Sequence, residues 1–340
     1  MGPININKLK NNYALILFLL SCIFFPFAIG SVHLFDWDEV NFAEIAREMI
    51  VNKNYLNVQI NYQPFWEKPP LFFWLQALSM KILGVNEFAS RFPNVLVGIA
   101  SILSLFYIGK KIISNKFGFI WGLSYIGSLL PHFYFKTGII DPLFNLFIFL
   151  SIYFFYLYQD QYKKKNLLIA SILSGLAVLT KGPVEILIIL IVVFFFVIYK
   201  WKTIKIKILD LIIAGVIIFT ITSFWFISEI INGGGIELFK EFIAYQIRLF
   251  TTSEAGHGEP FYYHFIVLFF GCFPISLIVI PYLLKKNFSN SKSIELYHGY
   301  TYSAHPLACA AALAAIDLYE KENLLNKDQK LIKFWDILIV

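Results

Sequence analysis

Among the ionisable residues of a largely apolar chain, those at five places are of types suited to proton transfer and anion binding. Asp38 and Glu39 open an amphipathic stretch, Val40 to Val51, and Glu67 and Lys68 stand directly before Pro69 and Pro70. Asp141 precedes Pro142, Lys181 precedes Gly182-Pro183, and His257 begins the segment His257-Gly258-Glu259-Pro260. A carboxylate can take a proton from a hydroxyl, and a fixed cation can neutralise charge growing on a leaving anion. Each group also has an ordinary reading. Asp38 and Asp141 can cap helices, Glu67 and Lys68 can be surface charge at a helix start, Lys181 can snorkel from a helix end, and His257 can be a plain loop residue.

The elements that carry these groups follow from composition. Hydrophobic residues make up 58% of the 340 and charged residues 15%, with a mean hydropathy of +0.68. That is too little polar surface for a soluble domain and fits a polytopic all-α membrane protein. At about 20 apolar residues per span, eight spans are expected near 12–30, 92–110, 117–135, 139–158, 167–181, 184–200, 208–229 and 261–284. The stretch 71–84 is too short for a span and reads as an interfacial or re-entrant helix. The first apolar run, behind Lys8 and Lys10, reads as an uncleaved helix rather than a signal peptide.

The net charge of +6 lies in short clusters between apolar runs: Lys110, Lys111 and Lys116; Lys163 to Lys165; Lys200 to Lys207; Lys285 and Lys286. This is the positive-inside pattern and not a nucleic-acid stripe, so these loops are expected in the cytoplasm. The chemistry-bearing residues then share the opposite, external face. In the first external loop, Ala43, Ala46 and Ile50 fall on one helical face and Glu44, Arg47 and Glu48 on the other, as in a helix lying on a membrane surface. Arg248 and Glu254 read as solvated loop residues. Cys22, Cys272 and Cys309 show no metal or disulfide spacing.

The run DWDEVNFAEIAREMI, followed by EKPPLFFWLQALSMKILGVNEFASRFPNVLVG, resembles the first external loop of the protein O-mannosyltransferase and aminoarabinose (lipid A) transferase superfamily, enzymes of the GT-C fold. The resemblance continues through Asp141-Pro142, Leu179-Thr180-Lys181-Gly182-Pro183 and His257 to Tyr263, and covers about residues 1–285. It implies a glycosyltransferase of the bacterial cytoplasmic (inner) membrane, acting on its periplasmic side. Such an enzyme moves a sugar from a polyprenyl-phosphate donor to lipid A, another glycan or a protein.

By that resemblance, Asp38 is the reaction-centre carboxylate and Asp141 orients Lys181 or a sugar hydroxyl. Lys68 and Lys181 hold the donor phosphate, and Glu67 and His257 bind a divalent metal ion beside it. The chain departs from aminoarabinose transferases at Asn41 and Phe42, where they carry Arg and Tyr, and at Pro274-Ile275, where Pro-Trp is common. The resemblance therefore implies a reaction class more than a sugar or an acceptor.

Residues 1–286 form the transferase-like region and residues 287–294 a polar junction. Within 295–340, the stretch from Tyr297 to about Leu325 resembles a fragment of class III pyridoxal-phosphate aminotransferases. Thr301 matches a cofactor-phosphate contact of that family. The large domain that carries the Schiff-base lysine has no counterpart upstream, so pyridoxal phosphate is not expected to bind and the tail reads as a helical appendage. Two other readings are a non-functional chimera and a transporter. A transporter would gather its ionisable groups near the midplane, on broken helices.

Overall fold

The computed structural model describes residues 12–35, 37–199, 206–231, 237–251, 260 and 262–279. His257 and the whole stretch from 280 onward, with the aminotransferase-like segment and Thr301, lie outside the described residues. Among the described residues the architecture is all-α apart from one two-stranded ribbon. The helices are α1 (Tyr13–Phe24), α2 (Asp38–Asn52), α3 (Leu71–Leu83), α4 (Glu87–Ile112), α5 (Asn115–Ile126), α6 (Leu129–Tyr134) and α7 (Asp141–Gln161). They continue as α8 (Lys164–Lys181), α9 (Val184–Tyr199), α10 (Ile208–Glu229), α11 (Glu237–Thr251) and α12 (Tyr263–Gly271). Strands β1 (Gln59–Ile60) and β2 (Gln63–Pro64) pair antiparallel between α2 and α3.

Among the described residues, α4, α7 and α10 are long and apolar enough to cross a membrane. Helices α9 and α10 turn large apolar side chains outward, among them Leu190, Phe194, Ile212 and Phe219, as suits a lipid-facing surface. Each expected span contains helix, but with breaks. The stretch 117–135 splits at Gly127-Ser128 into α5 and α6. The expected loop 230–260 contains the amphipathic helix α11.

The short α3 is buried on one side and props up a proline in α4. Pro93 lacks the N–H that would bond the Ala89 carbonyl. Ser79 Oγ of α3 donates to that carbonyl instead, at 2.7 Å, and Gln76 Nε2 donates to the Ser90 carbonyl at 2.9 Å. Phe72 and Phe73 of α3 join Phe42, Ile45, Ala46 and Met49 of α2 in the main core.

Helix α2 buries one face and leaves Glu44 and Arg47 partly exposed on the other, as its periodicity predicts, but Glu48, expected on the polar face, is 1% exposed. Its carboxylate accepts the Tyr62 N–H at 3.0 Å, a partner that periodicity cannot foresee.

Candidate active site

Two charged centres occupy one end of the molecule. The first is closed. Arg91 of α4 and Glu39 of α2 are each 2% exposed. Arg91 Nε and Nη2 donate to the two carboxylate oxygens of Glu39 at 2.7 and 2.8 Å. The remaining donors reach the carbonyls of Ile29 (2.6 Å), Val32 (2.8 Å) and His33 (2.9 Å). All five guanidinium N–H groups are thus used. Glu39 also accepts the N–H of Phe35 at 2.7 Å and of Gly138 at 2.5 Å. A buried ion pair tolerates its desolvation only when its remaining donors and acceptors are satisfied in this way.

The second centre holds Asp38, Lys68, Asp141 and Lys181, with Glu67 beside them. Asp38 is the first residue of α2; the cap position is Trp37, at φ +71°, without a side-chain cap bond. A bulky residue at that φ is strained. The turn is held by Glu39, one residue beyond Asp38, through the Phe35 N–H.

Asp141 likewise is the first residue of α7 rather than its cap, which is Ile140. Its Oδ1 accepts from Lys181 Nζ at 2.5 Å. The aspartates sit at positive helix ends and Lys181 at the negative end of α8, so the helix dipoles favour all three charges. Lys181 needs the turn that follows it: Gly182 has φ +103°, which only glycine adopts readily.

Lys68 is buried, and its Nζ donates to Tyr245 Oη of α11 at 2.6 Å. The loop before it is tied down by three bonds. Glu229 Oε1 accepts the Val58 N–H at 3.0 Å, Trp74 Nε1 donates to the Tyr55 carbonyl at 2.5 Å, and Trp225 Nε1 donates to the Leu56 carbonyl at 3.3 Å.

Electrostatics join these residues into one site. Asp38 keeps an exposed surface, yet crowding by protein atoms removes enough water to raise its pKa; Lys68 opposes the rise, Asp141 adds to it and Lys181 opposes it. Burial and the nearby Lys181 charge lower the Lys68 pKa, while Asp38, Glu67 and Asp141 oppose that shift. Burial and the charges of Glu67 and Asp38 push the Tyr245 hydroxyl up to about 12. Arg248, expected in solvated loop, lies on α11 with its guanidinium 6.0 Å from the Tyr245 ring centre.

Such an arrangement can hold an anion between two lysines and present a carboxylate to a hydroxyl. Among the described residues no three His, Cys, Asp or Glu side chains come together as metal ligands. The other ligand that the resemblance implies, His257, lies outside the described residues, so the roles given to Lys68, Lys181, Asp38 and Asp141 below are derived without a metal.

Sequence reasoning did not single out Tyr245 and gave no role to the Glu39–Arg91 pair. A signal existed for the pair, because an arginine in a long apolar helix needs a buried partner. None existed for Tyr245, an aromatic residue on an amphipathic helix.

Residues 67–227 match the family model described as dolichyl-phosphate-mannose-protein mannosyltransferase. Relatives named undecaprenyl phosphate-alpha-4-amino-4-deoxy-L-arabinose arabinosyl transferase include that of Wigglesworthia glossinidia brevipalpis, 30% identical over 306 residues, 86% of this chain and 52% of the relative. That of Pectobacterium carotovorum subsp. carotovorum is 26% identical over 84% of this chain and 51% of the relative. The chain thus spans about half the length of these relatives. Among solved structures, ArnT from Cupriavidus metallidurans in the apo state superposes with a TM-score of 0.65 at 18% identity, covering 92% of this chain and 59% of that one. The same protein bound to undecaprenyl phosphate gives a TM-score of 0.63 at 17% identity, covering 94% and 61%. The family match and the relatives liken this chain to glycosyltransferases of the GT-C superfamily, and the solved structures show the same fold.

Proposed function

We propose that this chain carries the donor and catalytic site of a membrane glycosyltransferase, which moves a sugar from a polyprenyl-phosphate carrier to an acceptor hydroxyl or amine on a glycolipid, another glycan or a protein. One observation carries the reading. Two lysines and two aspartates from four separate segments, two of them helix starts and one a helix end, meet at one end of a membrane fold. The relatives' names and the fold shared with a protein crystallised with undecaprenyl phosphate support it.

The chemistry follows from the charges. The leaving group is a lipid phosphate whose charge grows as the bond to the anomeric carbon breaks. Lys68 and Lys181 stand ready to neutralise it in a poorly hydrated place, where such stabilisation is strongest. Asp141 holds Lys181 in place before the phosphate arrives. Asp38 takes the proton of the attacking group, and direct displacement inverts the anomeric centre. Glu67 sits on the same surface beside Lys68, and the proposal retains a divalent ion shared by Glu67 and His257. If that ion is needed, chelator treatment abolishes transfer and a divalent salt restores it.

The external location is part of the proposal. Helix α7 runs from Asp141 to the basic turn Lys163–Lys165, 21 residues, or about 30 Å of rise. The Lys163–Lys165 cluster and the charged site thus stand at opposite ends of this span, and the positive-inside tendency supports an external site.

The test is a transfer assay in proteoliposomes, with a labelled polyprenyl-phosphate sugar and lipid A as acceptor. Loss of transfer in both Asp38→Asn and Glu67→Gln supports the assignment. Undiminished transfer in both overturns it.

A further inference from the structure

We propose that the buried Glu39–Arg91 pair is the positioning device of the reaction: one carboxylate fixes both the segment that carries Asp38 and the segment that carries Asp141. The inference rests on the transferase reading above and goes beyond it, since neither residue touches the reacting groups.

The geometry is specific. Glu39 follows Asp38 in the chain and bonds back to the Phe35 N–H, so it grips the turn that presents Asp38. The same carboxylate accepts the Gly138 N–H, three residues before Asp141. Gly138 permits that approach, because a Cβ there would lie 3.2 Å from Gln76 Nε2 and from the Ser90 carbonyl oxygen. Asn94, one helical turn beyond Arg91 on α4, donates to the carbonyls of Thr137 and Ile139 at 2.6 and 2.7 Å, which steadies the same segment. Arg91 also binds the carbonyls of Ile29, Val32 and His33, where the chain leaves α1. Two segments about a hundred positions apart therefore share one anchor.

The lysines are held differently. Lys68 depends on the loop bonded to α10 and on Tyr245, and Lys181, besides its bond to Asp141, on the end of α8. The pair should thus set where the two aspartates stand while leaving most of the donor-phosphate contact intact. A displacement of about 1 Å at a reacting group can cost about a hundredfold in rate.

The experiment compares Glu39→Gln and Glu39→Asp with the wild-type chain, reading turnover per folded molecule and affinity for a polyprenyl phosphate. Glu39→Gln keeps the shape and loses the charge; Glu39→Asp keeps the charge and withdraws it by one methylene. Turnover should fall about a hundredfold or more in Glu39→Gln and about tenfold in Glu39→Asp, while affinity stays within about threefold. If Glu39→Gln does not fold, Glu39→Asp decides alone. Wild-type turnover per folded molecule, or parallel loss of affinity and turnover, overturns the inference. Asp38→Asn measured alongside separates the two levels: if it too turns over normally, the transferase reading itself has failed.

Discussion

The two charged centres lie side by side and differ in how their charges are satisfied. In the Glu39–Arg91 pair both side chains are 2% exposed and each donor and acceptor is matched at 2.5 to 2.9 Å. Around Asp38 the side chains of Lys181 and Asp141 keep 28% and 22% exposure, and charge acts across the site rather than through a closed set of bonds. A saturated pair has nothing left to offer a ligand, so it can only hold. An incompletely screened group of two cations and two anions can receive an anion and a nucleophile. On the proposed reading, holding and reacting are divided between adjacent residues, Glu39 and Asp38.

Variants that exchange these roles should show the largest effects. Asp38→Asn removes the proposed base and should lower transfer by about 10²–10⁴-fold, measured as labelled product per minute. Its stability should move the other way. Burial holds the Asp38 carboxyl of the folded protein above the ordinary carboxylate value of about 3.8. Between the two pKa values the folded state holds more protons, so stability falls as pH rises through that window. Asp38→Asn should therefore melt at a higher temperature than wild type near neutral pH. Arg91→Met should do the opposite, because it strands the Glu39 charge and costs about 3–5 kcal/mol, seen as loss of folded protein in detergent.

Smaller effects sharpen the contrast. Asp141 raises the Asp38 pKa and Lys68 lowers it. The acid limb of the rate profile should move to lower pH in Asp141→Asn and to higher pH in Lys68→Met, as rates across a pH series would show. Gly182→Ala forces a side chain into φ +103° and should cost about 1–2 kcal/mol, with weaker donor binding because Lys181 shifts. Tyr245→Phe, which removes one bond to Lys68, should weaken donor binding least, by about tenfold or less.

Much of this was legible in the sequence. Asp38, Glu67, Lys68, Asp141 and Lys181 stand out because charge in an apolar chain is costly, and the alternation of basic loops puts them at one end. Helix breaks were harder to see: Gly127-Ser128 interrupts an apolar run without changing its hydropathy. Glu48 was assigned to the wrong face, because periodicity ranks side chains by polarity and cannot know that a distant N–H waits in the core. The full set of partners of Glu39 was beyond reach for the same reason, since the Gly138 N–H lies 99 positions away. Tyr245 carries no sign at all until α11 packs over Lys68.

The most direct test of the central claim is the affinity of the purified chain for a polyprenyl phosphate that carries no sugar. If the open centre is a phosphate site, wild type binds it, Lys181→Met and Lys68→Met each lose about tenfold or more, and Asp38→Asn binds at least as tightly as wild type. Equal binding by wild type and both lysine variants would contradict the account.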